Sequence, residues 1–198
     1  MRGYIDLHCH VLPGLDDGPQ DLESAAQTVH ALEALGFAEL HPTPHQKADA
    51  WAPDAGQCQQ AAAALRAHLG ERCSTTVHPP AGENMWDELF LSRQVDRSYP
   101  CYPGAKAFLL ELHPAAPPPG LVQGLFEFRL RGQLPVLAHV ERYLTLVQDL
   151  ARVETIASKA ALLVNRFGSA ATQTLTAIPF EEFKKVSQDV REIEIAHR

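Results

Sequence analysis

Short apolar runs alternate along this chain with longer segments whose apolar residues recur every three or four positions, the rhythm of strand followed by helix. Tyr4-Ile5-Asp6-Leu7-His8-Cys9-His10 opens it as an apolar run ending in two histidines, and Pro13 to Gly18 bends the chain. Asp21 is placed to cap a helix from Leu22 to Leu35, striped by Leu22, Ala26, Val29 and Leu32 and stopped by Gly36. Phe37 to His41 predicts a second strand, broken by Pro42-Thr43-Pro44-His45, and an alanine-rich helix follows from Gln57 to Leu69. The β-branched Ser74 to His78 predicts a third strand, which runs out at Pro79 to Glu83. Ala107 to Leu112 is a fourth, nearly all apolar, with Glu111 inside it. After the proline-rich loop Pro114 to Pro119 come a helix (Leu121 to Arg131), a strand (Leu134 to His139), a helix (Leu144 to Ser158) and a sixth strand (Ala161 to Asn165). The last segment, Phe180 to Arg198, reads as a more polar helix.

Strand and helix repeating about six times, with continuously apolar strands, implies a parallel sheet covered by helices, either open or closed into a barrel. At 198 residues the chain suits one α/β domain over residues 1–198, and no linker or internal repeat divides it. An apolar share of 45% beside a charged share of 21% is that of a globular protein rather than a disordered one. The net charge of -7 argues against nucleic acid or an anionic membrane as the main partner. No apolar run is long enough to span a bilayer, and Asp6 and His8 interrupt any signal-peptide core, so a cytoplasmic location is expected. The four cysteines (Cys9, Cys58, Cys73, Cys101) are scattered, with neither a disulfide framework nor a Cys-x-x-Cys pair.

The chemistry lies in where the histidines and carboxylates fall. Residues i and i+2 of an extended chain point to one side, so His8 and His10 can aim at one point. An isolated His-x-His is more often an ordinary strand end, but the pattern recurs. His45 falls just past the second strand, Glu83 after the third, Glu111 near the end of the fourth, and His139 closes the fifth. In parallel sheets and barrels these ends share one face, where such folds place their active sites. Four histidines with Glu83, Glu111 and Asp17 exceed the about four to six ligands that one ion needs. The composition therefore suggests a multinuclear site, with two-metal phosphoryl transfer as the reaction type and Arg142 as a positive fork for a phosphate. Water activated by metal would attack, so no side-chain nucleophile is required.

These residues also carry a family resemblance. Ile5-Asp6-Leu7-His8-Cys9-His10-Val11-Leu12-Pro13-Gly14-Leu15-Asp16-Asp17-Gly18 resembles the opening of the bacterial tyrosine phosphatases of capsule and exopolysaccharide synthesis, members of the polymerase-and-histidinol-phosphatase (PHP) superfamily. Thr43-Pro44-His45, Gly82-Glu83, Leu110-Glu111-Leu112 and Ala138-His139-Val140-Glu141-Arg142-Tyr143 are similar to its later motifs. The resemblance spans Ile5 to about Asn165. It implies a distorted (β/α)7 barrel with a trinuclear metal centre. The ligands would be His8, His10, Asp17, His45, Glu83, Glu111 and His139, with Arg142 binding the substrate phosphate. Asp16 is an alternative to Asp17, which the resemblance favours. The ions implied are divalent, manganese first, with iron, zinc or cobalt as alternatives. The implied substrate is phosphotyrosine on a bacterial tyrosine autokinase of polysaccharide export.

The chain departs from the family after Asn165. Its closing Ser-Asp-x-His motif has no counterpart here, and the only late histidine is His197. The expectation is a barrel incomplete at its C-terminal end, divergent or shortened from about residue 166, with an unpaired edge that invites homo-oligomers. Two further readings follow: a catalytically impaired member that still binds phosphotyrosine or a kinase, and a small-molecule phosphatase of the histidinol-phosphatase type. A thiol mechanism is not expected, because no cysteine begins a Cys-x5-Arg loop and Cys9 should face the core. His30 and His68 read as surface residues, and His41, His78 and His113, on or beside strands, as packing residues ahead of partners to the ligands.

Overall fold

Two aspartates fix where the first two helices begin. In a computed structural model, which describes residues 3–165 and 175–177, Asp21 accepts from the Ser24 amide at 2.7 Å and starts helix α1 (Leu22–Ala34). Asp54 likewise accepts from the Gln57 amide at 2.8 Å, while the Gln57 side chain reaches back to the Asp54 amide at 2.9 Å. This reciprocal cap starts α2 (Ala55–Leu69) two residues before the alanine stripe predicts it. Gly36, at φ +94°, takes the left-handed turn that ends α1. The helix expected from Leu144 to Ser158 is divided: Asp149 caps the Arg152 amide at 3.1 Å and restarts the chain as a separate helix.

The strands are β1 (Tyr4–Cys9), β2 (Phe37–Pro42), β3 (His45–Gln46), β4 (Thr76–Val77), β5 (Glu83–Met85), β6 (Ala107–Glu111), β7 (Leu134–Leu137), β8 (Ala161–Asn165) and β9 (Leu175–Ala177). The remaining helices are α3 (Glu88–Arg93), α4 (Leu121–Leu130), α5 (Leu144–Val147) and α6 (Leu150–Ala157). Pairing gives a sheet ordered β1-β2-β4 and another ordered β3-β5-β6-β7-β8-β9, parallel throughout except for β8 against β9. The two are halves of one surface. His78 N donates to Leu40 O, Ala81 N to Pro42 O and Glu83 N to Pro44 O at 2.8–3.0 Å, carrying the ladder across the proline breaks.

The α/β class with parallel strands is as expected. Among the described residues the sheet does not close into a barrel: β1 and β9 approach within 8 Å (Cα–Cα) but share no ladder. β9 pairs antiparallel with β8, so among the described residues the open edge lies between β9 and β1. Apolar periodicity did not reveal β3, β5, α3 or β9, since elements of two to six residues beside prolines carry too little pattern. The helix expected from Phe180 to Arg198 lies outside the described residues.

Both faces of the central strands are buried, which is why they read as unbroken apolar runs. Phe108, Leu110 and Leu137 pack with Phe90, Tyr99, Leu125 and Phe128, whereas Leu109, Val136 and Ala138 pack with Ala81 and Tyr102 on the other side. A further cluster, with Cys9, Val29, Leu32, Leu40, Leu65 and Val77, fastens α1 and α2 to β1, β2 and β4. Among the described residues no helix is long and apolar enough to cross a membrane.

Candidate metal centre

Each strand delivers its donor by a local rule. His8 lies within β1 and His10 just past its end, and the β3–β5 register sets His45 opposite Glu83. Glu111 ends β6. His139 follows β7 in a left-handed backbone conformation, φ +31° and ψ +55°, which a non-glycine residue holds only when its surroundings impose it. The strand ends converge on Glu83, which is 1% exposed. Its Oε2 lies 3.0 Å from His8 Nε2, 3.2 Å from His10 Nε2 and 3.1 Å from His45 Nδ1, and its Oε1 lies 2.9 Å from His139 Nε2. Glu111 stands 3.5 Å from His139 Nε2 and 3.9 Å from His45 Nδ1.

The turn after β1 separates two adjacent aspartates. Asp16 is buried and fully engaged: its carboxylate takes His10 Nδ1 at 2.7 Å, the His45 amide at 3.0 Å and the Gly18 amide at 3.0 Å. Asp17 is 58% exposed at its side chain, with Oδ1 3.5 Å from His45 Nε2. The first orients the imidazoles, and the second keeps its lone pairs free. Gly18 permits the close turn, since a methyl group there would collide with the His10 carbonyl.

Charge inside this site is tightly interlocked. Burial acts to raise the Glu83 carboxyl, but His8, His10 and His139 outweigh it and hold the group well below the usual carboxylate range. Burial also works against a charged His10, yet Asp16 and Glu83 raise it to about 10. His8 is pushed down to about 4 by burial, with Glu83 only partly offsetting it. Burial, and then the negative Glu83, raise Glu111 to about 7. A cation at the centre would relieve these conflicts.

All seven residues expected as ligands are brought together. They form three overlapping triads, His8–Glu83–His139, His45–Glu83–Glu111 and His10–Asp17–His45, each with one donor atom per residue inside a mutual 4.8 Å. The donor set fits ions on two further grounds. His8 Nε2 and His10 Nε2 face each other at 3.1 Å, and His45 Nδ1 is buried without a hydrogen-bond partner despite Glu83 Oε2 at 3.1 Å. Lone pairs turned toward one another at such spacing suit an ion between them, since metal–ligand bonds of about 2.1 Å give octahedral edges of about 3.0 Å.

A cavity of about 510 Å³ opens over the cluster, with Arg142, Lys47 and Trp51 on its walls. Arg142 is exposed, in a turn of 3-10 helix right after His139. Trp51 stacks on the His45 ring (centroids 5.3 Å apart, planes 20° apart), held by a bridge in which Lys47 N donates to Trp51 O at 2.6 Å. Sequence reasoning missed Lys47, Trp51, the orienting role of Asp16, and Asp6. The last is fully buried, accepts from the His8 amide at 3.0 Å, and is raised by burial to about 7. Its signal was present in the i, i+2 spacing to His8. Cys9 packs into the core under α1, as expected.

Comparisons with known proteins bear on these residues. The family model described as capsular polysaccharide synthesis, CpsB/CapC, matches residues 4–171. The tyrosine-protein phosphatase YwqE of Bacillus subtilis (strain 168) is 28% identical over 148 residues, covering 70% of this chain and 54% of that protein. CapC of Staphylococcus aureus is 22% identical over 153 residues, covering 74% and 57%. The chain thus spans about half the length of the curated relatives it matches. A crystal structure described as YwqE from Bacillus subtilis and CpsB from Streptococcus pneumoniae, unique metal-dependent tyrosine phosphatases, superposes with a TM-score of 0.76 at 23% identity. It covers 96% of this chain and 74% of that one.

Proposed function

The chain belongs to the CpsB/CapC family of capsular polysaccharide synthesis, and from that premise we propose that it is a metal-dependent phosphoesterase acting on phosphotyrosine in proteins. The observation that carries this reading is the set of three donor triads sharing Glu83 and His45 beneath an open cavity. His8, His10, Asp17, His45, Glu83, Glu111 and His139 would hold the ions, Glu83 and His45 each belonging to two of the triads. Mixed imidazole and carboxylate donors suit manganese, iron, zinc or cobalt, and the family resemblance puts manganese first. Divalent ions held there would supply Lewis acidity toward phosphate oxygens and a source of nucleophilic water at neutral pH.

The protein's own groups do the positioning. The Arg142 fork pairs with two phosphate oxygens, and the Lys47 ammonium adds a second positive charge at the cavity wall. Trp51 offers an aromatic face for the tyrosine ring, fixed in place by its stack on His45. Asp16 keeps His10 in one tautomer, with Nε2 turned toward Glu83. No thiol competes as nucleophile, because burial raises Cys9 well above its ordinary range within the core. Tyrosine is a tolerable leaving group, with a pKa of about 10, so a strong general acid is not required. The relatives' names support phosphotyrosine in proteins as the substrate, and the family description supports a place in capsular polysaccharide synthesis; the motif resemblance extends this to a tyrosine autokinase of polysaccharide export, met in the cytoplasm.

Hydrolysis of p-nitrophenyl phosphate with added manganese tests this. Activity is expected to disappear with chelator and to fall by at least about 100-fold in His8→Ala. Turnover indifferent to both would overturn the reading.

A further inference from the structure

A second cluster of donors lies on β2 and at the end of β4, sharing no residue with the centre above. Glu39 and His41 stand two apart on β2 and so project to one side. The β2–β4 register pairs Glu39 with Thr76 and Leu40 with Val77, and one further step sets His41 beside His78. Leu40 and Val77 belong to the core under α1 and α2, so the three polar residues occupy the opposite face. The two imidazoles stack with centroids 4.1 Å apart and planes within 4°, and Glu39 Oε2 lies 2.9 Å from His78 Nε2. One donor atom from each of the three residues falls inside a mutual 4.8 Å.

The Glu39–His78 hydrogen bond and the His41–His78 stack still leave one nitrogen of His41 unexplained. Its Nδ1 is buried and has no hydrogen-bond partner, a costly state for a polar atom. Burial, and then His78, hold the ring below the usual histidine range. β4 is only two residues long, so a tie between His78 and β2 acts directly on its end. The site is also reachable, because the Glu39 and His78 side chains are 43% and 30% exposed.

We propose that Glu39, His41 and His78 form a separate metal site, a clip of two imidazoles and one carboxylate that takes a divalent transition ion of the zinc type and ties β4 to β2. The ion would replace the proton between Glu39 and His78, and the His41 ring would swing out of the stack so that a nitrogen lone pair, which lies in the ring plane, meets it. Two histidines and one carboxylate leave room for water as a further ligand, and the donor types favour zinc, cobalt or nickel over magnesium or calcium. The role is structural, so it stands whether or not the first centre hydrolyses phosphate.

The test uses the full chain carrying His8→Ala and Glu83→Gln, which disable the first centre. Titration with cobalt(II), read by its visible absorption, is expected to show about one equivalent bound, and zinc is expected to raise the melting temperature. Adding Glu39→Gln or His78→Ala should abolish both responses while leaving the far-ultraviolet circular dichroism unchanged. Glu39 is partly exposed and the change to Gln nearly isosteric, so that variant reports even if His78→Ala does not fold. Glu39→Gln alone should keep the phosphatase rate of the unaltered chain. Cobalt binding that persists in Glu39→Gln, or a parent variant that binds none, would overturn the site.

Discussion

At the scale of residues, the two neighbouring aspartates show how position divides chemically identical groups. Asp16 is spent on His10, the His45 amide and the Gly18 amide, whereas Asp17 faces His45 from the solvent side. Replacing Asp16 by Asn keeps the shape but removes the charge that orients the His10 imidazole. Bound metal affinity or kcat/KM should fall by about 10- to 100-fold, as for other groups that orient a ligating histidine. Metal content after gel filtration and steady-state rates on p-nitrophenyl phosphate measure this, and an Asp16→Asn enzyme indistinguishable from the parent would contradict the role. Six of the seven candidate donors were legible in the sequence because their residue types recur at strand ends, and Asp17 came from the family resemblance. The work of Asp16 was not, because it depends on an amide 29 positions away. Trp51 was equally hidden, since only the β-bridge to Lys47 folds it back over His45.

At the scale of elements, caps and apolar runs specified most boundaries, and the short strands escaped. β3 and β5 contain two and three residues, yet they carry His45 and Glu83, so the elements hardest to read are the ones nearest the chemistry. Their pairing is fixed by bonds from strands already in place, not by local propensity. A side-chain tie acts between elements at the foot of β4. Glu33 in α1 accepts the Ser74 hydroxyl at 2.5 Å and the Ser74 amide at 2.6 Å, and these bonds, with His30, hold its carboxyl down at about 2. A carboxyl depressed in the folded state stabilises the fold above its ordinary pKa of 4.5, and that contribution is lost as pH falls from 4.5 toward about 2. Glu33→Gln should therefore be less stable than the parent near neutral pH, with the gap narrowing as pH drops below 4.5. Denaturant midpoints for the two proteins across that range would show it, and a gap independent of pH would count against the tie.

At the scale of the whole molecule, six parallel strand positions, two of them split by prolines, bring donors from distant parts of the chain to one end of the sheet. The apolar clusters on both faces leave that end rigid, so that Glu83 can sit buried among four histidines while Arg142 stays at the open wall. The alternation of strand and helix made the α/β class readable from sequence. Whether the sheet closes was not readable, because closure depends on strand tilt and stagger that no apolar run encodes. The central claim is that this buried cluster binds divalent ions and hydrolyses phosphotyrosine with them. Its most direct test is phosphate release from a phosphotyrosine peptide by protein stripped of metal and then restored with manganese, beside a Glu83→Gln variant treated identically. The account predicts no release from the stripped protein, recovery on restoration, and none from Glu83→Gln under either condition. Equal release from stripped and restored protein, or full activity in Glu83→Gln, would contradict it.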